Sequence, residues 1–290
     1  MRRILLAVAL SAASAALAQL PFDLGRALDV GKKLVDSQKT TEMSESEEIG
    51  LGDALTAGFL GASPLHPDAN LQRYVNRVGK WCAMHSDRPD LPWSFAVIDT
   101  ETINAFALPG GDVIVSSGLL KRLSSESELA GVLSHEIAHV VKKHQLQAIQ
   151  SSQRGNLLAS VGKDIASDRI ASRGGSALGQ AAKTGLANVA TDLLKDGLLL
   201  RPLDRSMEYE ADQLGVVIAT RSGYDPYGLV GALQMLAQYK GGADAASIMS
   251  THPPASDRIS ELERYLPNVE RYSSHPQLEG RYRQVVGAAK

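Results

Sequence analysis

Leu129-Ala130-Gly131-Val132-Leu133-Ser134-His135-Glu136-Ile137-Ala138-His139-Val140-Val141 is the stretch on which the reading of this chain turns. It carries the pattern H-E-x-x-H inside an apolar run. On a helix, residues i and i+4 share a face, so His135 and His139 can aim two imidazoles at one ion. Glu136 lies about 100° further round, close enough to reach a water on that ion. Two nitrogen ligands, an open position and a general base make up the donor set of a zinc hydrolase. The chain has seven His in 290 residues, and random placement would give only about 0.01 such matches, so context decides the reading. Ser125 and Glu128 read as a capping box where this helix should start. Leu129, Val132, Leu133, Ile137 and Val140 then form an apolar stripe facing away from the two His.

Far upstream, Met1-Arg2-Arg3 is a basic start, Ile4 to Leu17 is apolar and Ala-rich, and Ala16-Leu17-Ala18 is a small-x-small site before Gln19. Residues 1–18 therefore read as a signal peptide, which predicts a periplasmic protein. The apolar run, about 14 residues, is short for a transmembrane helix, and no later stretch reaches about 18 apolar residues. Peripheral membrane association stays open. The remaining chain, about 270 residues, can bury one sizeable core or two small ones. A net charge of -2 gives no electrostatic case for nucleic acid. Cys82 is the single cysteine, so no internal disulfide can form, and its apolar helical context predicts a buried, inert thiol.

The remaining pattern predicts an α+β fold, mainly helical, with a small β-sheet beside the H-E-x-x-H helix. An N-terminal segment, 19–45, reads as helical, and the main domain spans 46–268. Ser44 to Leu60 reads as a helix, broken by Ser63-Pro64-Leu65-His66-Pro67. Asp68 caps another, with Leu71, Val75, Val78 and Cys82 at helical spacing. Trp93 to Asp99 alternates like a strand. Asn104 to Leu108 is a second strand, stopped by Pro109-Gly110-Gly111, and Asp112 to Ser116 is a third. Residues 150–200 are rich in Ser, Gly and Ala, which predicts a mobile lid or insertion. Helices are expected over Ser206 to Ser222 and Tyr227 to Tyr239, with a last one capped by Ser256 and ending at Tyr265. The polar tail 269–290 is expected to be loosely held.

A tight zinc site needs a third protein ligand. The extended pattern H-E-x-x-H-x-x-G-x-x-H is excluded, because Lys142 and Gln145 stand where Gly and His would be. His144 follows His139 by five residues and is expected to point to solvent. The better source is Glu208-Tyr209-Glu210-Ala211-Asp212. Glu208 and Asp212 share a helix face with Ala211 and Gly215, whose small size would let this helix approach the first. Gly131, one turn before His135, suggests the same approach. Gly within a helix costs up to about 1 kcal/mol against Ala, so it usually has a packing reason. Glu210 points roughly opposite. Asp212 suits the task of holding a ligand His through its other ring nitrogen.

These residues resemble the zinc metallopeptidases that include the CaaX prenyl protease and the bacterial HtpX, BepA and LoiP proteins. The resemblance runs from about Ser46 to Leu266. It covers Asn104-Ala105-Phe106-Ala107-Leu108-Pro109-Gly110-Gly111, Glu128 to His144, Glu208 to Asp212 and Ser250-Thr251-His252-Pro253. It implies a zincin-type fold with one zinc per chain. His135, His139 and Glu208 would be the ligands, Glu136 the base and Asp212 a support, and His252 would approach the metal. The chain departs from the membrane-embedded members and lacks the helical-repeat domain of the BepA type, so it looks most like the short LoiP-type branch.

Glu136 would take a proton as water attacks a peptide carbonyl and return it to the leaving amine. The oxyanion needs a second electrophile, for which His252, Arg258 and Tyr209 are candidates in that order. An extended substrate could pair with an edge strand at Asn104, Ala105, Phe106 and Ala107, or at Asp112 to Ser116. Main-chain pairing suits unfolded polypeptides. The expected function is a zinc metalloendopeptidase acting on misfolded or unfolded envelope proteins, outer-membrane proteins among them. The rival is a chaperone-like protein with a latent or structural zinc site, against which the presence of a base argues. An aminopeptidase would need a segment that holds a free amino terminus, and no G-x-M-E-N-like segment is present.

Overall fold

The computed structural model describes residues 43–151, 188, 190–193, 197, 201–238 and 252–289. The expected leader over 1–18, nearly all of the segment 19–45 and most of the segment 150–200 lie outside the described residues. Helix α1 (Glu45–Ala62) starts at Ser44, whose backbone N–H donates to the Glu47 carboxylate at 2.7 Å. Helix α2 (Ala69–Ala83) is capped by Asp68, which accepts from the N–H groups of Asn70 and Leu71. Its inward residues Leu71, Val75, Val78 and Cys82 are all buried. Burial pushes the Cys82 thiol up to about 11, which leaves it unreactive.

Strands β1 (Ser94–Ile98), β2 (Ala105–Ala107) and β3 (Asp112–Ser116) form one sheet in the order β1-β3-β2. β3 is central, parallel to β1 and antiparallel to β2. The turn after β2 needs glycine, since Gly110 has φ 84° and a Cβ there would lie 2.6 Å from Ile49 Cα on α1. The central place of β3 removes Asp112 to Ser116 as a strand that could accept a substrate. Only β2, of the two proposed segments, offers an edge.

The short helix α3 (Ser117–Leu120) leads into α4 (Glu126–Val141), which carries the two His. Ser125 Oγ accepts from Glu128 N–H at 3.1 Å, while the Glu128 carboxylate accepts from Ser124 N–H rather than closing back on Ser125. Fourteen of the sixteen residues of α4 are buried, all but Glu128 and Val141. The expected one-sided stripe is therefore a helix enclosed on every face, and Val132 lines the same hollow as His135 and Glu136. Around it pack α2, α6 (Arg205–Arg221), α7 (Gly228–Gln238) and β2. Helix α5 (His144–Ser151) follows α4 directly, and α8 (Ala255–Tyr265) packs on α6 and α7.

Three glycines set the helix approaches. A Cβ on Gly215 of α6 would sit 2.9 Å from His135 N and 3.0 Å from His135 Cα. Gly131 was expected to serve the same contact, but it faces α7. Its Cβ would lie 2.5 Å from Leu229 N, and one on Gly228 would lie 2.2 Å from Ser127 O. Helix α7 thus crosses α4 one turn before the first His, and α6 crosses at it. Pro254, not Ser256, occupies the cap position of α8, and Ser256 lies inside its first turn.

The C-terminal residues are not a loose tail. Helix α9 (Glu279–Val286) buries Tyr282, whose hydroxyl donates to Leu120 O at 2.6 Å. Arg281 reaches the buried carboxylate of Glu126, which also accepts from Tyr74 OH at 2.8 Å and Tyr224 OH at 2.7 Å. A buried carboxylate without these donors would be costly, so Glu126 draws the chain end onto the core. The described residues from Ser44 onward belong to one compact unit. Among the described residues no helix is long and apolar enough to cross a membrane.

Gly215→Leu is expected to destabilise the fold by about 1–3 kcal/mol through overpacking against the backbone of α4. Gly280→Ala, where a Cβ meets nothing within 4 Å, should leave stability unchanged or raise it slightly. Tyr282→Ala should cost about 3–5 kcal/mol. Denaturant unfolding of the three variants checks these values, and a Tyr282→Ala protein as stable as the parent would mean that α9 is dispensable.

Candidate metal centre

Helical phase puts His135 and His139 on one face of α4, and the crossing of α6 puts Glu208 opposite them. The two Nε2 atoms are 3.0 Å apart, with ring planes at 84°. Glu208 Oε2 is 3.7 Å from His135 Nε2, and Oε1 is 3.6 Å from His139 Nε2. A tetrahedral ion with bonds of about 2.0–2.1 Å would space its ligands by about 3.3 Å, close to all three separations. His252 completes the group, its Nδ1 2.7 Å from Glu208 Oε2. One donor atom from each of His135, His139, Glu208 and His252 falls within 4.8 Å of the others. Glu208 Oε1 is fully buried and has no hydrogen-bond partner among the described residues. An orphaned carboxylate oxygen beside two imidazole nitrogens is a costly arrangement unless a cation completes it. Two imidazoles and a carboxylate are the donors that zinc takes, so the residues fit that ion.

Asp212, one turn after Glu208, accepts from His135 Nδ1 at 2.9 Å. Arg258 of α8 holds both oxygens of Asp212, with Nε to Oδ2 at 2.9 Å and Nη2 to Oδ1 at 2.5 Å. Burial would raise the Asp212 carboxyl, but Arg258 and His135 outweigh it and hold the group far below the usual carboxylate range. Glu208 behaves in the same way, its burial outweighed by His252, His139 and His135. The Glu208 contact raises His252 above an ordinary histidine despite the burial that opposes this. Arg258, the second candidate for the oxyanion, gives Nε and Nη2 to Asp212, while it also lines the hollow beside Glu136 and places Nη1 4.0 Å from Glu208 Oε2. Tyr209 lines neither of the hollows that Glu136 lines.

Glu136 is buried, and burial pushes its carboxyl up. Its carboxylate accepts no hydrogen bond among the described residues. It borders one hollow with His135, Val132, Leu229 and Leu233, and a second with Ala105, Phe106, Ala107, His139 and His252. The edge strand β2 therefore runs along the site. Asn104 O accepts from Ser116 N–H, and Leu108 N–H donates to Asp112 O. By the two-residue period of the ladder, the main-chain groups of Ala105 and Ala107 point away from β3, with the Ala105 N–H taken up by its neighbour Asn104. Asn104 does not line either hollow; its Oδ1 accepts from Ala105 N–H at 2.9 Å.

His144 is the residue that the sequence reading placed wrongly. It is buried, not solvated, and its Nδ1 is 3.0 Å from His139 Nδ1. Helix α4 stops at Val141 and Lys143 takes a left-handed φ of 57°, which turns His144 back beneath His139. No Gly or Pro marks that stop, so a continued helix was the natural reading. Glu210 is half exposed and pairs with Lys142 at 2.7 Å and His144 at 3.3 Å, away from the central group.

Glu208→Ala is expected to lose both bound zinc and hydrolysis, whereas Glu136→Gln should keep about one zinc per chain and lose hydrolysis by about 10²-fold or more. Metal analysis beside a peptide-cleavage assay checks both, and zinc loss in Glu136→Gln would mean that base and ligand are misassigned.

The family model for Peptidase family M48 matches residues 69–266. The chain is 32% identical over 221 residues to the beta-barrel assembly-enhancing protease of Escherichia coli strain K12, covering 76% of this chain and 44% of that protein. It is 30% identical to the protein of the same name from Yersinia pestis, with the same coverage. It is also 30% identical over 247 residues to the mitochondrial metalloendopeptidase OMA1 of Schizosaccharomyces pombe, covering 84% of this chain and 63% of the relative. The chain thus spans about half the length of these relatives. A matched region that takes in all of α4, α6 and α8, and with them His135, His139, Glu208 and His252, makes this chain a member of peptidase family M48.

Proposed function

We propose that this protein is a zinc-dependent endopeptidase that cleaves unfolded or misfolded polypeptides of the cell envelope, outer-membrane proteins among them. The observation that carries the reading is Glu136, a buried carboxylate with no hydrogen-bond partner among the described residues, set between the His135, His139 and Glu208 group and the edge strand β2. A purely structural metal site has no use for such a group, which disfavours the chaperone-like alternative. His135, His139 and Glu208 would hold the zinc, which would supply a Lewis acid for the attacking water and the carbonyl.

The protein's own residues then move the protons. Glu136 accepts one from the attacking water and delivers it to the leaving nitrogen, and burial strengthens it as a base. The Ala105 C=O and the Ala107 N–H and C=O of β2 take an extended substrate as an added strand, so recognition reads main chain more than side chains. Such pairing favours unfolded segments, whose N–H and C=O groups are available. His252 donates to the carbonyl oxygen as it gains charge, a task that suits a side chain whose contact with Glu208 favours the protonated form. A second reading is favoured by the 2.7 Å contact of His252 with Glu208: as a further ligand, His252 would latch the site shut.

Residues 1–18 as a secretory leader support a periplasmic location. The name of the Escherichia coli relative supports outer-membrane barrel proteins as the envelope substrates.

The zinc-loaded protein should cleave unfolded casein, and a chelator should stop it. Absence of cleavage at full zinc occupancy would favour the chaperone-like alternative. His252→Ala should lower kcat with little change in KM if the residue is the oxyanion donor, and raise basal activity if it is a latch.

A further inference from the structure

The two imidazoles of α4 are held from behind by unlike partners. His135 Nδ1 meets a carboxylate, Asp212, at 2.9 Å. His139 Nδ1 meets an imidazole, His144 Nδ1, at 3.0 Å. We propose that His144 is a positioning residue that fixes the tautomer and ring orientation of His139, through a directed chain running from His139 to His144 to Glu210. The inference rests on the reading of His139 as a zinc ligand.

The proton positions follow from the contacts. His139 turns Nε2 toward Glu208 Oε1, at 3.6 Å, so Nε2 is its inward nitrogen. A ligating nitrogen carries no proton, so the proton of neutral His139 sits on Nδ1. The nearest acceptor for it is His144 Nδ1. That nitrogen must then be bare, and the proton of His144 sits on Nε2, 3.3 Å from Glu210 Oε2. Glu210 Oε1 is in turn 2.7 Å from Lys142 Nζ. Each imidazole in this chain has one donor and one acceptor role, the Glu210 carboxylate accepts from His144 and from Lys142, and reversing either ring would set two donors or two acceptors against each other.

The backbone is arranged for this contact. Lys143 holds a left-handed φ that a lysine seldom adopts, and without that reversal a continued helix would carry His144 away from His139. Its ammonium pairs with the buried carboxylate of Glu48 at 3.3 Å, which Arg88 also grips, so the reversal is tied to α1. The ring of His144 lies edge-on to that of His139, at 73° and 5.0 Å between centroids. This arm differs from the Asp212 arm in charge. A neutral acceptor leaves His139 a weaker electron donor than a histidine backed by a carboxylate.

The test is the zinc affinity of the full-length chain, measured by competition with a chromophoric chelator. His144→Leu fills the buried volume but cannot accept the proton, and should weaken zinc binding by about 10–100-fold. His144→Gln can accept through Oε1 and donate through its amide to Glu210, and should restore affinity to within a few-fold of the parent. Nitrogen-15 spectra of histidine-labelled, zinc-loaded parent should show the His139 proton on Nδ1 and the His144 proton on Nε2, a readout that packing alone would not dictate. His139→Ala separates the two ideas. If that variant keeps parental affinity, the ligand reading fails. If it loses zinc while His144→Leu binds as tightly as the parent, the positioning role is overturned. The opposite tautomer at His144 overturns it as well, even if His144→Leu does not fold.

Discussion

The buried carboxylate of Glu208 is the constraint around which the structure is arranged. A carboxylate shut away from water is tolerated only when positive or donor groups surround it. Here they come from three elements: two imidazoles of α4, His252 from the segment before α8, and Arg258 of α8 at 4.0 Å. Bringing α6 close enough to α4 for these contacts requires Gly215, because any side chain there would meet the backbone of His135 itself. The packing of the two helices and the chemistry of the site are therefore one problem with one solution. One oxygen of Glu208 still lacks a partner among the described residues, and a cation between the imidazoles would supply it.

The opposite end of α4 is pinned by a second buried carboxylate. Glu126 lies in the first turn, where the helix dipole favours negative charge, and collects two tyrosine hydroxyls and the Arg281 guanidinium. Its donors come from α2, from the segment between α6 and α7, and from α9, so the core closes over α4 from three directions. A helix held at both ends by charge and along its length by apolar contacts has little freedom to shift. Rigid support of this kind is what a site with sub-ångström tolerances requires.

The substrate side is built differently. Strand β2 is three residues long and lies at an edge, and its turn is clasped by α1, where Gly52 and Gly110 permit backbone contact. Glu48 of α1 reaches the Gly110 N–H at 3.4 Å, Arg88 and Lys143 together. One buried residue therefore links the turn beside the edge strand to the reversal that places His144. Helix α1 thus supports both the strand proposed to take substrate and the proposed ligand His139.

Local pattern was enough for the helix of His135 and His139, the offset of Glu136, the pairing of Glu208 with Asp212, and the cap at Asp68. Each depends on a spacing of a few residues and on helical phase, which the chain carries with it wherever it folds. The family resemblance pointed to His252 as well, through a loop motif rather than a periodicity. What remained hidden depends on which elements meet. That Gly131 faces α7 while Gly215 faces α4 is set by where helices cross. That β3 is central, and so closed to a substrate, is set by strand order. The seating of α9 hangs on Glu126, a residue 155 positions away from Arg281. His144 was misplaced because the end of α4 has no glycine or proline to announce it. The left-handed turn at Lys143 is an unfavourable local choice for a lysine, and the contacts of Lys143 with Glu48 and of His144 with His139 offset it. Local preference determines the helices and the residues they present together, whereas long-range contacts determine which of those residues face each other, because only a folded core can hold a locally unfavourable conformation in place.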